Sequence, residues 1–302
     1  MPLTEFDEHI TRTLLYYDIF DHPLTFGELF SLFPKNSLTR EEFRTHLSAA
    51  EAAHMITATA GYIKLSENAR DVGPLRKQRE ELARKRLRVA KFMAMLMKRF
   101  PFVRGVFLSG DLSKGVAHAD SDIDYVVVTA PRRLWICRTL LVAFKKIFLL
   151  NSRKYFCLNY YVAADSLRLH DHNYFTATEI AHLKPLYGLE AFLSYMNANA
   201  WIKEYFPNYH VFALAKNEVD SRQSVIQKII EPAFRGRWVD RIDHRLMELM
   251  KSVWARRYPQ YDAGTRVRIF RCTPNESSAY VGNFADKILS TYGKKLREHQ
   301  LR

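Results

Sequence analysis

The sequence predicts an α+β fold: a small mixed sheet that carries the chemistry, flanked by an N-terminal unit of helices and a hairpin and by a mainly helical C-terminal part. Three observations predict it. Residues 102–129, FVRGVFLSGDLSKGVAHADSDIDYVVVT, read as strand, glycine turn, polar excursion and strand. The first seventy residues hold three short amphipathic segments with capping signals, then a run that alternates around Ala60-Gly61. From Glu190 onward, apolar and aromatic residues recur at helical spacing. The boundaries that follow are 1–70, 71–190 and 191–302.

In the N-terminal unit, Ile10, Leu14, Tyr17 and Phe20 make one face of a helix that Pro23 closes. Thr25 with Glu28, and Thr39 with Glu42, have capping-box spacing and open two further helices, the second with Phe43, Leu47 and Ala50 on one face. Residues 55–65 then read as a β-hairpin. Three helices followed by a hairpin resemble a winged helix-turn-helix. That resemblance implies DNA contact through Arg40, Arg44, His46 and Lys64, or a role in dimerisation or domain packing.

Residues 75–100 form a long amphipathic helix, with Leu75, Leu82, Val89, Phe92, Met93, Leu96 and Phe100 as its expected buried stripe. Cations crowd its other faces from Arg76 to Arg99: either a guide for nucleic acid or nucleotide, or a solvated face partly neutralised by Glu80 and Glu81.

Residues 103–108 read as a buried strand, Ser109-Gly110-Asp111 as a turn, and residues 122–129 as a second strand opening with Asp122 and Asp124. Two residues apart on a strand, both carboxylates point the same way, roughly 6.5–7 Å apart. Like charges that close repel, and a divalent cation between them removes the repulsion; hard oxygen ligands suit Mg²⁺. The turn offers Ser109, Gly110, Ser113, Lys114 and Gly115, whose backbone N–H groups and one cation suit phosphate.

Gly110, a small or polar partner at 111, ten residues and then Asp122-Ile123-Asp124-Tyr125 resemble the signature of the DNA polymerase β-like nucleotidyltransferase superfamily, over residues 76–190. The resemblance implies that Ser109, Gly110, Asp111, Ser113 and Lys114 seat a nucleoside triphosphate and that Asp122 and Asp124 hold Mg²⁺ or Mn²⁺. Two departures stand out. Asp111 occupies a position where the family has Ser or Gly, and could instead cap the following helix. The family's third acid falls on the strand read over residues 154–163, whose alternation puts Tyr155, Cys157, Asn159 and Tyr161 on one face, and the central residue is the amide Asn159. Asp165 lies past that strand and could substitute only if the chain turned back.

Between these strands Pro131 opens a largely buried helix, and after them residues 176–188 read as a helix running to Pro185. His170 and His172 sit in a polar turn, an incomplete zinc set. In the last third, helices over 191–206, 225–230 and 238–254 form a bundle; residues 266–271 alternate as a basic strand or edge; and Ser277, Ser278 and Asn283 fall in a polar loop.

Composition bounds the function. The 302 residues are 48% hydrophobic and 26% charged, as in a globular chain, with a net charge of +14 that favours polyanionic partners. Cys137, Cys157 and Cys272 are far apart, which fits a reducing cytoplasm and not zinc. MPLTEFDEHI has no apolar core, so no signal peptide is expected. The most apolar run, 134–150, is broken by Arg138, Lys145 and Lys146, so no bilayer span and no membrane partner is expected.

Two functions follow from the resemblance. The first is a Mg²⁺-dependent nucleotidyltransferase that moves a nucleoside monophosphate from an NTP to an acceptor hydroxyl, with Asp122, Asp124 and Asn159 at its centre. The second is a catalytically impaired nucleotide-binding regulator that acts through the winged helix, a reading favoured by Asn159 and Asp111. Expected partners are a nucleoside triphosphate, nucleic acid along residues 76–99 or the winged helix, and a second copy of the chain.

Overall fold

The computed structural model describes residues 4–35, 38–68, 70, 72–210, 219–278 and 284–301. Asn283 lies outside them. The elements in order are α1 (Glu5–Asp18), β1 (Leu24–Thr25), α2 (Phe26–Ser31), α3 (Arg40–Ala52), β2 (Ile56–Thr59), β3 (Tyr62–Leu65), α4 (Val72–Met97), β4 (Val103–Ser109), α5 (Gly110–Ser113), β5 (Asp124–Thr129), α6 (Leu134–Phe148), β6 (Cys157–Ala163), α7 (Tyr174–His182), β7 (Lys184–Tyr187), α8 (Leu189–Ala198), α9 (Val225–Ile230), α10 (Arg237–Arg257), α11 (Ala263–Ile269), β8 (Glu276–Ser278) and α12 (Phe284–Glu298). The chain is mixed α+β: one five-stranded mixed sheet and one small antiparallel sheet.

The small sheet runs β1-β3-β2. Its hairpin turns at Ala60 and Gly61, both with positive φ, as a tight two-residue turn requires. All three helices before it are closed by reciprocal capping boxes, at Thr4/Asp7, Thr25/Glu28 and Thr39/Glu42.

The large sheet runs β7-β4-β5-β6-β8, with β5 and β6 parallel and the other pairs antiparallel. Residues alternate between its faces. Phe107, Val126, Val128, Tyr160 and Val162 pack with α7, α8, α12 and the core of α1–α3. Val106, Leu108, Ile123, Tyr125, Val127 and Tyr161 pack with α4, α6 and α10. The N-terminal unit therefore shares a continuous core with one face of the central sheet.

Several expectations are corrected. The buried stripe of α4 is Arg76, Ala83, Arg86, Ala90, Ala94 and Met97, while Leu75 and Phe92 are exposed. Small alanines let the helix lie close to its neighbours, and the two arginines go inward because each meets several acceptors. Arg76 binds Glu28 and Glu80 and donates to the Pro23 carbonyl. Arg86 donates to the carbonyls of Ala119 and Ser121. α6 begins at Leu134 rather than Pro131, after Arg132 at positive φ. Its first turn is capped from another helix: Asp243 Oδ1 of α10 accepts from the Ile136 N–H at 2.8 Å.

Residues 184–187 leave the expected helix to become edge strand β7, and Pro185 is tolerated because an edge needs fewer donors. Residues 263–269 form helix α11 instead of a basic strand, started by Asp262 accepting from the Thr265 N–H. Ser277 and Ser278 are buried in β8 against β6 instead of sitting in a loop.

Candidate functional site

The site forms where β4 ends. Ser109 closes the strand, Gly110 takes φ +66°, and α5 makes a single helical turn. A Cβ on Gly110 would lie 2.6 Å from Asp124 Oδ2. Glycine is therefore required twice here, for the left-handed backbone and for the close approach of the carboxylate. Asp124 opens β5 directly opposite Ser109. Its Oδ1 accepts from Asn159 Nδ2 at 2.5 Å, so the carboxylate is held between a backbone turn and an amide.

Asn159 arrives by a break in strand alternation. β6 pairs Leu158 with Tyr125 and then Tyr160 with Val126, so Asn159 is an extra, bulged residue. The predicted common face of Asn159 and Tyr161 is thereby lost: Tyr161 packs in the opposite core layer, while Asn159 meets Asp124. Asn159 Oδ1 in turn accepts from the Cys157 thiol at 3.0 Å. Burial pushes the Asp124 carboxyl up to about 6, helped by the charges of Asp122, Asp111 and Glu179 and opposed by the Cys157 thiol.

Asp124 and Gly110 look into a cleft of about 450 Å³. Asp111, Lys114, Val116 and His118 continue that wall; Arg79 of α4 and Glu179 of α7 face it; and Phe284 of α12 stands at its edge. The last wall comes from the end of α1 and the segment after it, Tyr17 to His22 without Asp18. Behind this wall, Tyr17 bonds His182 Nε2 at 2.7 Å, and Arg76 reaches His22 at 3.0 Å. Both histidines are held well below their usual pKa, first by burial and then by Arg76, Lys114 and other nearby cations.

The predicted site residues divide. Gly110, Asp111, Lys114 and Asp124 come together on the cleft, and Asn159 supports Asp124. Ser113 does not reach it: its hydroxyl is buried and donates to the Gly110 carbonyl at 2.7 Å, closing the one-turn helix. Ser109 contributes the end of β4 and makes no side-chain cap. Lys114 faces the cleft but is paired with Glu179 at 2.6 Å. Asp122 precedes β5 and is not among the residues lining the cleft. It sits in the loop that Arg86 anchors and acts on Asp124 only through its charge. Asp111 caps nothing; its Oδ2 lies 3.8 Å from His118 Nε2. Asp165 is exposed. Among the described residues, no group of three or more His, Cys, Asp or Glu is arranged to hold a metal.

Sequence reasoning missed Arg79, Glu179, His118 and the Tyr17–His22 wall. Arg79 was hidden among equivalent-looking cations of α4, and only its donation to the Phe20 and Asp21 carbonyls shows that it turns inward.

The carboxylates of Asp111 and Asp124, both on the cleft, are hard oxygen donors of the kind a divalent cation takes with water and phosphate. Donors of this chemistry would suit Mg²⁺; Asp122, off the cleft lining, still acts on Asp124 by its charge more strongly than Asp111 does. Comparison of the chain with protein-family models, with curated proteins and with solved structures finds no match.

Proposed function

We propose that the chain binds a magnesium–nucleoside triphosphate in this cleft, where an acceptor hydroxyl attacks the α-phosphorus, the α–β phosphoanhydride bond breaks, the nucleoside monophosphate passes to the acceptor and pyrophosphate leaves. The observation that carries the reading is the packing of a left-handed Gly110 backbone against the half-buried Asp124 carboxylate, on the wall of a cleft large enough for a nucleotide. Asp124 and Asp111 would hold the ion, which when bound supplies charge neutralisation for the phosphates. Arg79 and Lys114 bring two cations to the same space, where phosphate oxygens would displace or share their present partners. Asn159 orients Asp124 and takes no proton. Two cleft carboxylates are left, Asp21 and Glu179; Asp21 is paired with Arg70, and Glu179, freed when Lys114 turns to phosphate, is the one that would accept the proton of the acceptor hydroxyl.

The test is transfer of label from an α-³²P NTP in the presence of Mg²⁺ or Mn²⁺ and candidate acceptors. Transfer that disappears in Asp124→Asn supports the reading. Nucleotide binding by calorimetry without any transfer sinks the catalytic half of it.

A second reading has its own observation. Asn159 stands where the resemblance expects a third acid, and the Tyr17–His22 wall ties the cleft to the N-terminal unit. A nucleotide sensor that works through that unit would show Mg-NTP-dependent DNA retention and no turnover.

A further inference from the structure

Away from the cleft, two helices consecutive in the chain, α9 and α10, each leave apolar side chains exposed. Val225 and Ile229 of α9 are each 71% exposed, and Trp238 and Leu249 of α10 are 51% and 58% exposed. Ile242 and Val253 complete a line along α10. At 100° per residue, Trp238, Ile242, Leu249 and Val253 fall within an arc of about 60°, and they extend along roughly 22 Å of helix. The face of α10 that packs inward is a different one, formed by Val239, Asp243, Met247 and Trp254. The exposed line borders that inward face, with Leu246 between them, so the apolar arc of α10 continues past the core into solvent.

Charge selects the occupant. The stretch 225–257 also exposes Lys228, Arg235, Arg237, Arg241, Arg245, Lys251, Arg256 and Arg257. Its four acids are each engaged within the chain. Glu231 binds Arg104, Asp240 binds Arg132 and Arg133, Asp243 caps α6, and Glu248 binds Lys251. Arg237, Arg241 and Arg245 make no ion pair among the described residues. A second copy of this face would bring cations against cations. A nucleic acid would answer the charge but leave most of Val225, Ile229, Ile242, Leu249 and Val253 in water, because phosphate and sugar offer aliphatic side chains little and base contacts would reach only a few of them. An anionic bilayer answers both: acyl chains accept the aliphatics, headgroup phosphates pair the arginines, and an exposed tryptophan suits the interface. No helix of the described residues is long and apolar enough to cross a membrane, and lying on one requires no such length.

We infer that α9 and α10 form an interfacial docking surface for anionic phospholipid membranes. The test uses the full chain and vesicles of phosphatidylcholine with or without phosphatidylglycerol. Co-sedimentation is expected with the anionic vesicles only, weakening as salt rises. Among the described residues Trp238 is the exposed tryptophan, with Trp135, Trp201 and Trp254 buried, so the fluorescence blue-shift on binding should vanish in Trp238→Phe. Ile229→Ser with Leu249→Ser, and separately Arg241→Glu with Arg245→Glu, should each weaken vesicle binding about tenfold or more. These positions are exposed, and unchanged thermal unfolding of the variants excludes misfolding as the cause. Failure to co-sediment overturns the inference. So does displacement of the vesicles by duplex DNA with the serine variants binding as wild type, which would mark a nucleic-acid surface. A stable dimer that the serine variants dissociate, without vesicle binding, would overturn it in favour of a second copy.

Discussion

Replacing Gly110 by alanine tests the centre of the site against a built-in control, Gly115→Ala. Both glycines have positive φ, +66° and +79°. Forcing an L-residue into that region costs about 1–2 kcal/mol in either case. The difference is what the new methyl group meets. At Gly115 nothing lies within 4 Å, whereas at Gly110 Asp124 Oδ2 lies 2.6 Å away. Asp124 cannot swing aside at no cost, because its Oδ1 is tied to Asn159 and the side chain is half-buried at the head of β5. Displacing it breaks a hydrogen bond to a half-buried carboxylate, worth about 1–3 kcal/mol. Denaturant unfolding at constant pH should therefore place Gly110→Ala about 1–3 kcal/mol below Gly115→Ala. Calorimetry with Mg-ATP should show affinity lost in the first variant and kept in the second. Shortening the opposing side chain removes the collision, so Gly110→Ala combined with Asp124→Ala should cost less than the sum of the two single changes. Equal losses at the two glycines, with additive energies in the double variant, would refute the argued contact.

Four further outcomes follow from the same structure. Asn159→Asp places a second carboxylate against Asp124; stability without metal should fall by about 1–3 kcal/mol, Mg²⁺ should recover it, and thermal unfolding with and without Mg²⁺ reads both. His22 and His182, buried neutral among Arg76, Arg79, Lys114 and Lys184, bind fewer protons folded than unfolded, so stability is lost as pH falls below about 6.5. The slope is at most about 1.4 kcal/mol per pH unit for each, and a His182→Gln variant with a shallower acid limb in urea titrations would confirm it. Asp243 has the opposite sign: burial raises its carboxyl from 3.8 to about 6, so the folded state holds the extra proton and stability falls as pH rises between those values. Asp243→Asn should lose this limb while keeping the cap, whereas Asp243→Ala should cost about 1–3 kcal/mol at neutral pH by uncapping α6.

The sequence made some of this legible and hid the rest for identifiable reasons. Capping boxes are local, so Thr25 with Glu28 and Thr39 with Glu42 could be placed on their helices from spacing alone. The strand–glycine–strand unit was legible because the backbone requirement at Gly110 and the acid at Asp124 leave a residue signature. The orientation of α4 was not. Reading bulk as burial favoured Leu75 and Phe92, but the helix packs by its alanines and turns Arg76 and Arg86 inward to acceptors contributed by residues 23–28 and 119–121. The β6 bulge likewise escaped the period-two rule, since nothing in CLNYYVA announces an extra residue. Residues 263–271 misled for a related reason: alternating arginines mimic an edge strand, and one Asp262 cap decides for a helix. In each case a long-range or single-residue term outweighed the local pattern.

The same long-range terms determine what the site is made of. No contiguous segment contains the cleft: its walls come from α1, α4, α5, β5, α7 and α12, brought together by β4 and by the Arg76 cluster. Arg76 is 3% exposed and binds two carboxylates, one of them on α2, as well as the imidazole of His22 beside the cleft. A buried cation with that many partners is costly to separate from any of them. The N-terminal unit is thus fastened to α4 at the point where it forms the Tyr17–His22 wall, and α4 itself contributes Arg79 to the cleft. Under the proposed function, a nucleotide in the cleft would press on residues of α1 and the segment after it, which share one core with α3, and that shared packing is the route by which its binding would reach α3.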